Sequence, residues 1–167
     1  HLTGEPRMLE RPIADLLGAL NQMGVKARSK QNNGCPPLEI PGGGIPGGYV
    51  DLVGDNSSQY LTSILLSAPY FKKDTIINVI GNLTSKSYAD ITLDIIKDFG
   101  VNVKNESYSR FLISSGQTYR ATNYAVEADW SSASYFLAAA AITEGEVTLT
   151  GLNPDSVQGD AGFLNVL

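Results

Sequence analysis

The chain has 167 residues, 43% hydrophobic and 17% charged, proportions that suit a globular domain or a domain with part of another. Twelve basic residues against seventeen acidic ones leave a net charge of −5. With no stretch reading as a concentration of Lys and Arg, nucleic acid is set aside as a partner. One histidine, His1, and one cysteine, Cys35, exclude a Ser-His-Asp arrangement, a His-built metal site and an internal disulfide, and they point to a reducing, cytoplasmic setting.

In chain order, His1 to Gly4 reads as the tail of a strand. Pro12 to Met23 is helical, with Ile13, Leu16, Leu17, Leu20 and Met23 on one face and Gly24 as its stop. Val25 to Arg28 and Pro37 to Ile40 are short extended runs. Between them Cys35 lies in a turn with no histidine beside it, so a passive thiol is favoured over a nucleophile. The glycine-rich stretch 42–48 is read as a hairpin connection rather than a phosphate loop, because no Gly-Lys-Ser/Thr follows. Gly48 to Val53 is extended and Leu61 to Pro69 helical, and the polar stretch Asp55 to Leu61 joins them. Thr75 to Ile80 is a β-branched strand. Lys86 to Asp98 is helical, then Val101 to Lys104, Arg110 to Ser114 and Asn123 to Glu127 are extended. Ser131 to Ile142 is helical, Gly145 to Gly151 a strand, and Gly159 to Leu167 the opening of a further helix. The longest apolar run, Ala133 to Ile142, is about half a membrane crossing, so no membrane is expected. The Asn-x-Ser/Thr triplets at Asn56, Asn82 and Asn105 are read as accidental.

The order repeats. Asp55 opens Asp-Asn-Ser-Ser-Gln-Tyr-Leu, and Asp129, 74 positions on, opens a near twin. Asp15 and Asp90 are 75 apart in similar surroundings. Met23-Gly24-Val25 is echoed by Phe99-Gly100-Val101, and Phe163 to Leu167 reads as the start of a third copy. This period is longer than that of common solenoids, so the repeat is a subdomain of several strands and helices.

The repeat also matches polar junctions. Arg11 precedes the first helix and Lys86 occupies the matching spot in the second unit; Ser57, Ser58 and Gln59 open the second helix, and Ser131 and Ser132 its copy. Each has a plain reading as a helix cap or a solvated cation. If the units pack side by side, however, the helix starts converge into a site for a phosphorylated, hydroxyl-rich small molecule.

Taken together, Leu2-Thr3-Gly4-Glu5-Pro6-Arg7-Met8-Leu9-Glu10-Arg11-Pro12-Ile13, Pro46-Gly47-Gly48, Ser57-Ser58-Gln59-Tyr60-Leu61-Thr62, Ser131-Ser132-Ala133-Ser134-Tyr135-Phe136-Leu137-Ala138 and Ser156-Val157-Gln158-Gly159-Asp160 resemble the EPSP synthase family over essentially the whole chain. The resemblance implies an α/β fold of repeated βαβαββ-type units, an inside-out α/β barrel with helices inside and sheets outside, here incomplete. Residues 1–127 would be two repeat units of a first lobe and 128–167 the beginning of a second. It implies transfer of the enolpyruvyl group of phosphoenolpyruvate to the 5-hydroxyl of shikimate 3-phosphate, with no cofactor and no metal. Arg11 would hold the phosphoenolpyruvate phosphate. Ser57, Ser58 and Ser85 would bind the 3-phosphate, Gln59 would reach between the substrates, and Tyr88 would lie beside the ring.

One departure is Ser87, where the family commonly has proline. The family's Gly-Ser-Lys-Ser and Gly-Asn-Ala-Gly-Thr segments, and its proton-transfer carboxylates and lysine, do not occur in residues 1–167. No catalytic residue is therefore assigned, and a polypeptide of these residues alone is expected to be inactive. Incomplete lobes leave apolar faces open, which predicts self-association. Two other readings stand beside this one: the sister enolpyruvyl transferase acting on UDP-N-acetylglucosamine, disfavoured by Ser57-Ser58-Gln59, and a non-catalytic binding or scaffold module of the same fold.

Overall fold

A computed structural model describes residues 1–55 and 58–167. They form two compact units, His1–Arg120 and Ala121–Leu167.

In the first unit, α1 spans Ala14–Gln22, and the two-residue strands β1 (Arg28–Ser29) and β2 (Leu38–Glu39) pair antiparallel. Leu2 adds a bridge to β2: its N–H donates to Leu38 O at 3.0 Å and its carbonyl accepts from Leu38 N at 2.8 Å. The expected strand tail is thus present as a bridge. Next come β3 (Gly48–Val53), α2 (Ser58–Ser67), β4 (Thr75–Ile80), α3 (Lys86–Asp98), β5 (Val103–Glu106) and β6 (Arg110–Ile113). These form one βαβαββ unit with sheet order β3-β4-β6-β5, β3 and β4 parallel and the other neighbours antiparallel.

Side chains alternate across this sheet. Val50, Leu52, Thr75, Ile77, Val79, Phe111 and Ile113 point into the core, where they meet Leu61, Ile64 and Leu65 of α2 and Ala89 and Ile96 of α3. Tyr49, Asp51 and Val53 face outward, so one sheet face is covered by helices and the other is open, as such alternation dictates. Each fully buried large side chain contributes on the order of 1.5–3 kcal/mol. β3 is an edge, and α1 protects it. The Gln22 amide accepts from Asp51 N at 2.8 Å and donates to Asp51 O at 3.0 Å, as a neighbouring strand would.

The repeat is visible in how helices stop. Gly24 and Gly100 both adopt the left-handed conformation, φ 86° and 84°. Gly24 N then bonds Asn21 O and Val25 N bonds Leu20 O; Gly100 N bonds Lys97 O and Val101 N bonds Ile96 O. These stops explain why the expected strands at Val25 and Val101 begin later: the first N–H groups are already committed to the preceding helix. The stretch 42–48 is not a hairpin, since β2 and β3 belong to different sheets. It is a crossover that passes close to 72–75, where Gly48 N bonds Asp74 O and Lys72 N bonds Ile45 O.

In the second unit, α4 spans Trp130–Thr143. Residues 123–127 and 145–151 do not form the expected strands; the bond from Ala128 N to Gly151 O at 2.9 Å joins the residue after the first run to the end of the second. It matches Gly54 N to Ile80 O, which closes the β3–β4 pair. The first pair is flanked by β6. No described segment of residues 121–167 flanks the second, and a lone two-stranded ladder is marginal. Gly159–Asn165 is 3-10 rather than α-helical. Among the described residues no helix is long and apolar enough to cross a membrane, and no group of three or more His, Cys, Asp or Glu could hold a metal.

Candidate functional site

The parallel register ends with Val53 opposite Ile80, so the chain leaves β3 and β4 side by side and enters α2 and α3 at one edge of the sheet. The two exits are stitched together. Gly54 N donates to Ile80 O at 3.0 Å, Thr84 N and Thr84 Oγ1 donate to Gly54 O at 3.1 and 3.2 Å, and Asn82 N donates to Asp55 Oδ1 at 3.2 Å. Helix starts beyond the carboxyl ends of parallel strands are where open α/β sheets take ligands.

Ser58 is the first residue of α2 and is buried; Ser57 lies outside the described residues. Ser85 stands at the N-cap of α3 with φ 55° and ψ 52°, and its hydroxyl makes no capping bond. Holding a non-glycine residue in that region costs about 1–2 kcal/mol. The result is an exposed hydroxyl at a helix start, with Tyr88, also exposed, whose N–H donates to Ser85 O. Thr62 and Thr92 bond at 2.9 Å and join α2 to α3.

Arg11 follows the 3-10 turn Met8–Glu10 and precedes Pro12 in the extended conformation that a proline requires, φ −81° and ψ 124°. It lines a cavity of about 430 Å³ with Gln59 and Tyr60 from α2, and Met8, Pro12, Ile13 and Pro36 wall the rest. Arg11 and Gln59 are thus brought together. Ser58, Ser85 and Tyr88 do not line this cavity; they belong to the adjoining α2–α3 edge.

Tyr60 is the residue that sequence reasoning missed. Its hydroxyl donates to Pro12 O at 2.7 Å, a tie spanning 48 positions that no local pattern announces. Burial pushes its phenol up, the Asp15 carboxylate adds to this and Arg11 opposes it, so the hydroxyl stays a donor at neutral pH. Lys86, matched to Arg11 by the repeat, instead holds its ammonium 5.1 Å from the centre of the Tyr108 ring. The Tyr108 hydroxyl donates to Asp90 at 2.8 Å.

The second unit shows what the twin helix start does. Asp129 accepts from Ser131 N, Ser132 N and Ser132 Oγ, so the cap is the aspartate rather than the serines. The Ser132 hydroxyl, then the two N–H groups, hold its carboxyl below the usual aspartate range. The Ser131 hydroxyl donates to Asp160. This helix start already carries its anion, unlike that of α3, where the N-cap side chain makes no such bond.

Comparison with known proteins gives one family. The model of EPSP synthase (3-phosphoshikimate 1-carboxyvinyltransferase) matches residues 1–167. The 3-phosphoshikimate 1-carboxyvinyltransferase of Sulfurovum sp. (strain NBC37-1) is 53% identical over 167 residues, covering 99% of this chain and 39% of that protein. The enzyme of the same name from Photobacterium profundum is 52% identical with the same coverage. Among solved structures, an EPSP synthase from Acinetobacter baumannii superposes with a TM-score of 0.72 at 28% identity, covering 91% of this chain and 34% of that one. The chain therefore spans about 39% of the length of the curated relatives it matches.

Proposed function

The chain belongs to the EPSP synthase family, and we propose that it supplies substrate-binding walls for transfer of the enolpyruvyl group of phosphoenolpyruvate to the 5-hydroxyl of shikimate 3-phosphate, with release of phosphate. In this reading Arg11 grips the phosphoenolpyruvate phosphate with its planar fork, and Gln59 reaches between the two substrates. Ser57, Ser58 and Ser85 bind the 3-phosphate at the α2 and α3 starts, where the first helix N–H groups add partial positive charge. Tyr88 lies beside the shikimate ring. Residues 1–127 belong to a first lobe and 128–167 to a second, in an enzyme of the cytoplasm.

The observation that carries this reading is the meeting of Arg11 and Gln59 in one cavity beside the stitched exits of β3 and β4. The family's proton-transfer motifs do not occur in residues 1–167, and chemistry at the reacting carbons needs such groups in position. A polypeptide of these residues alone is therefore proposed to bind without turnover. Amide-shift titration with shikimate 3-phosphate is expected to move the resonances of Ser58, Ser85 and Tyr88, while an assay for phosphate release stays flat. Shifts confined to other parts of the chain, or turnover by the isolated polypeptide, would refute this assignment.

A further inference from the structure

We propose that Tyr60 is a positioning residue, whose hydroxyl fixes the Arg11-Pro12 segment against α2 so that the guanidinium faces the same cavity as Gln59. The proposal rests on the reading of Arg11 as the phosphate grip. Arg11 lies between a 3-10 turn and α1, so no regular ladder holds it. Its own N–H reaches Met8 O only at 3.3 Å, while Ile13 N is anchored to Gly34 O at 2.8 Å. Between them Pro12 has no N–H to give, so that residue can be anchored only through its carbonyl. Tyr60 takes that carbonyl at 2.7 Å, the shortest of the three bonds, and brings it from the helix that also presents Gln59. A two-pronged grip on phosphate depends on placement at the ångström scale, so a backbone tether one residue away acts directly on it.

The test uses the 167-residue chain with phosphoenolpyruvate as probe, titrated calorimetrically against the parent, Tyr60→Phe, Arg11→Lys and the double variant. Arg11→Lys keeps a charge but loses the fork, which makes binding weaker and less dependent on orientation. Tyr60→Phe removes one hydrogen bond without changing the ring, so affinity is expected to fall about two- to tenfold. That penalty should shrink toward nothing in the Arg11→Lys background, because the tether acts through the guanidinium. A thermal melt shows whether the phenylalanine variant is folded. An equal penalty in both backgrounds would mean the hydroxyl does not act through Arg11 and would overturn the proposal. So would unchanged affinity in Tyr60→Phe with Arg11→Lys weakened, and that result would leave the phosphate-grip reading standing. Unchanged affinity in Arg11→Lys would sink that reading, and this proposal with it.

Discussion

Gly54 is a single position on which both the fold and the candidate site depend. It lies just beyond β3, and its N–H and carbonyl are both bonded to the chain leaving β4. A Cβ there would sit 2.7 Å from Val79 Cγ1, 2.8 Å from Asn82 O and 3.0 Å from Asn82 C. Two of these three atoms are backbone, so relief requires the loop after β4 to retreat, by roughly 0.6 Å to reach ordinary contact. Overpacking of this kind costs about 1–3 kcal/mol. The retreat also strains the bonds from Thr84 to Gly54 and from Asn82 to Asp55, each worth about 1 kcal/mol. Gly54→Ala should therefore lose about 2–4 kcal/mol, a large share of a domain's stability. Gly18 provides the contrast. It lies inside α1 with nothing within 4 Å of a built Cβ, so Gly18→Ala should gain about 0.5–1 kcal/mol from helix propensity. The assay is urea unfolding followed by far-UV circular dichroism, because the one tryptophan, Trp130, belongs to the other unit. Under the proposed 3-phosphate site, a retreat of the loop that leads into Ser85 should weaken binding of shikimate 3-phosphate to Gly54→Ala and leave it unchanged for Gly18→Ala. Midpoints that move in the same direction for both variants would refute the steric argument.

Two further outcomes follow from single interactions. Gln22→Ala removes both bonds to the β3 edge and should cost about 0.5–1.5 kcal/mol, with faster amide exchange at Asp51; unchanged exchange there would show that the edge needs no cover. Asp129, held below the ordinary aspartate value of about 3.9, stabilises the second unit above that pH, and its contribution is lost as pH falls through the depressed folded value. Melts followed by Trp130 fluorescence should thus weaken on acidification below about pH 4, and Asp129→Asn should flatten that dependence; an unaltered slope in the variant would assign the acid sensitivity to other groups.

What could be read from the sequence is what depends on neighbours within a helical turn or two. The α3 and β4 boundaries are those expected, because periodicity and β-branching are local signals. The paired stops at Gly24 and Gly100 were legible because a left-handed residue after a helix favours glycine. The same locality explains the failures. Nothing near 42–48 tells a hairpin from a crossover, since the partner of β3 is β4, across a whole helix. The candidate site is less legible still. Its members were named by recurrence and resemblance, but the bonds that align them, Tyr60 to Pro12 and Thr62 to Thr92, connect residues 48 and 30 positions apart. The repeat misled where equivalent residues bond differently: Asp55 accepts from Asn82 N, whereas Asp129 caps α4 and gathers both serine N–H groups, which fills with negative charge a helix start that the pattern had offered to an anion. A backbone bond joins the residue before each repeated aspartate to a later segment, Gly54 to Ile80 and Ala128 to Gly151, while the side chains around it differ. Ala128 stands in the place of Gly54, where the backbone of Asn82 closes the space that a β-carbon would need. The repeat thus marks where helices begin, and the residues at each start decide what the side chain there bonds.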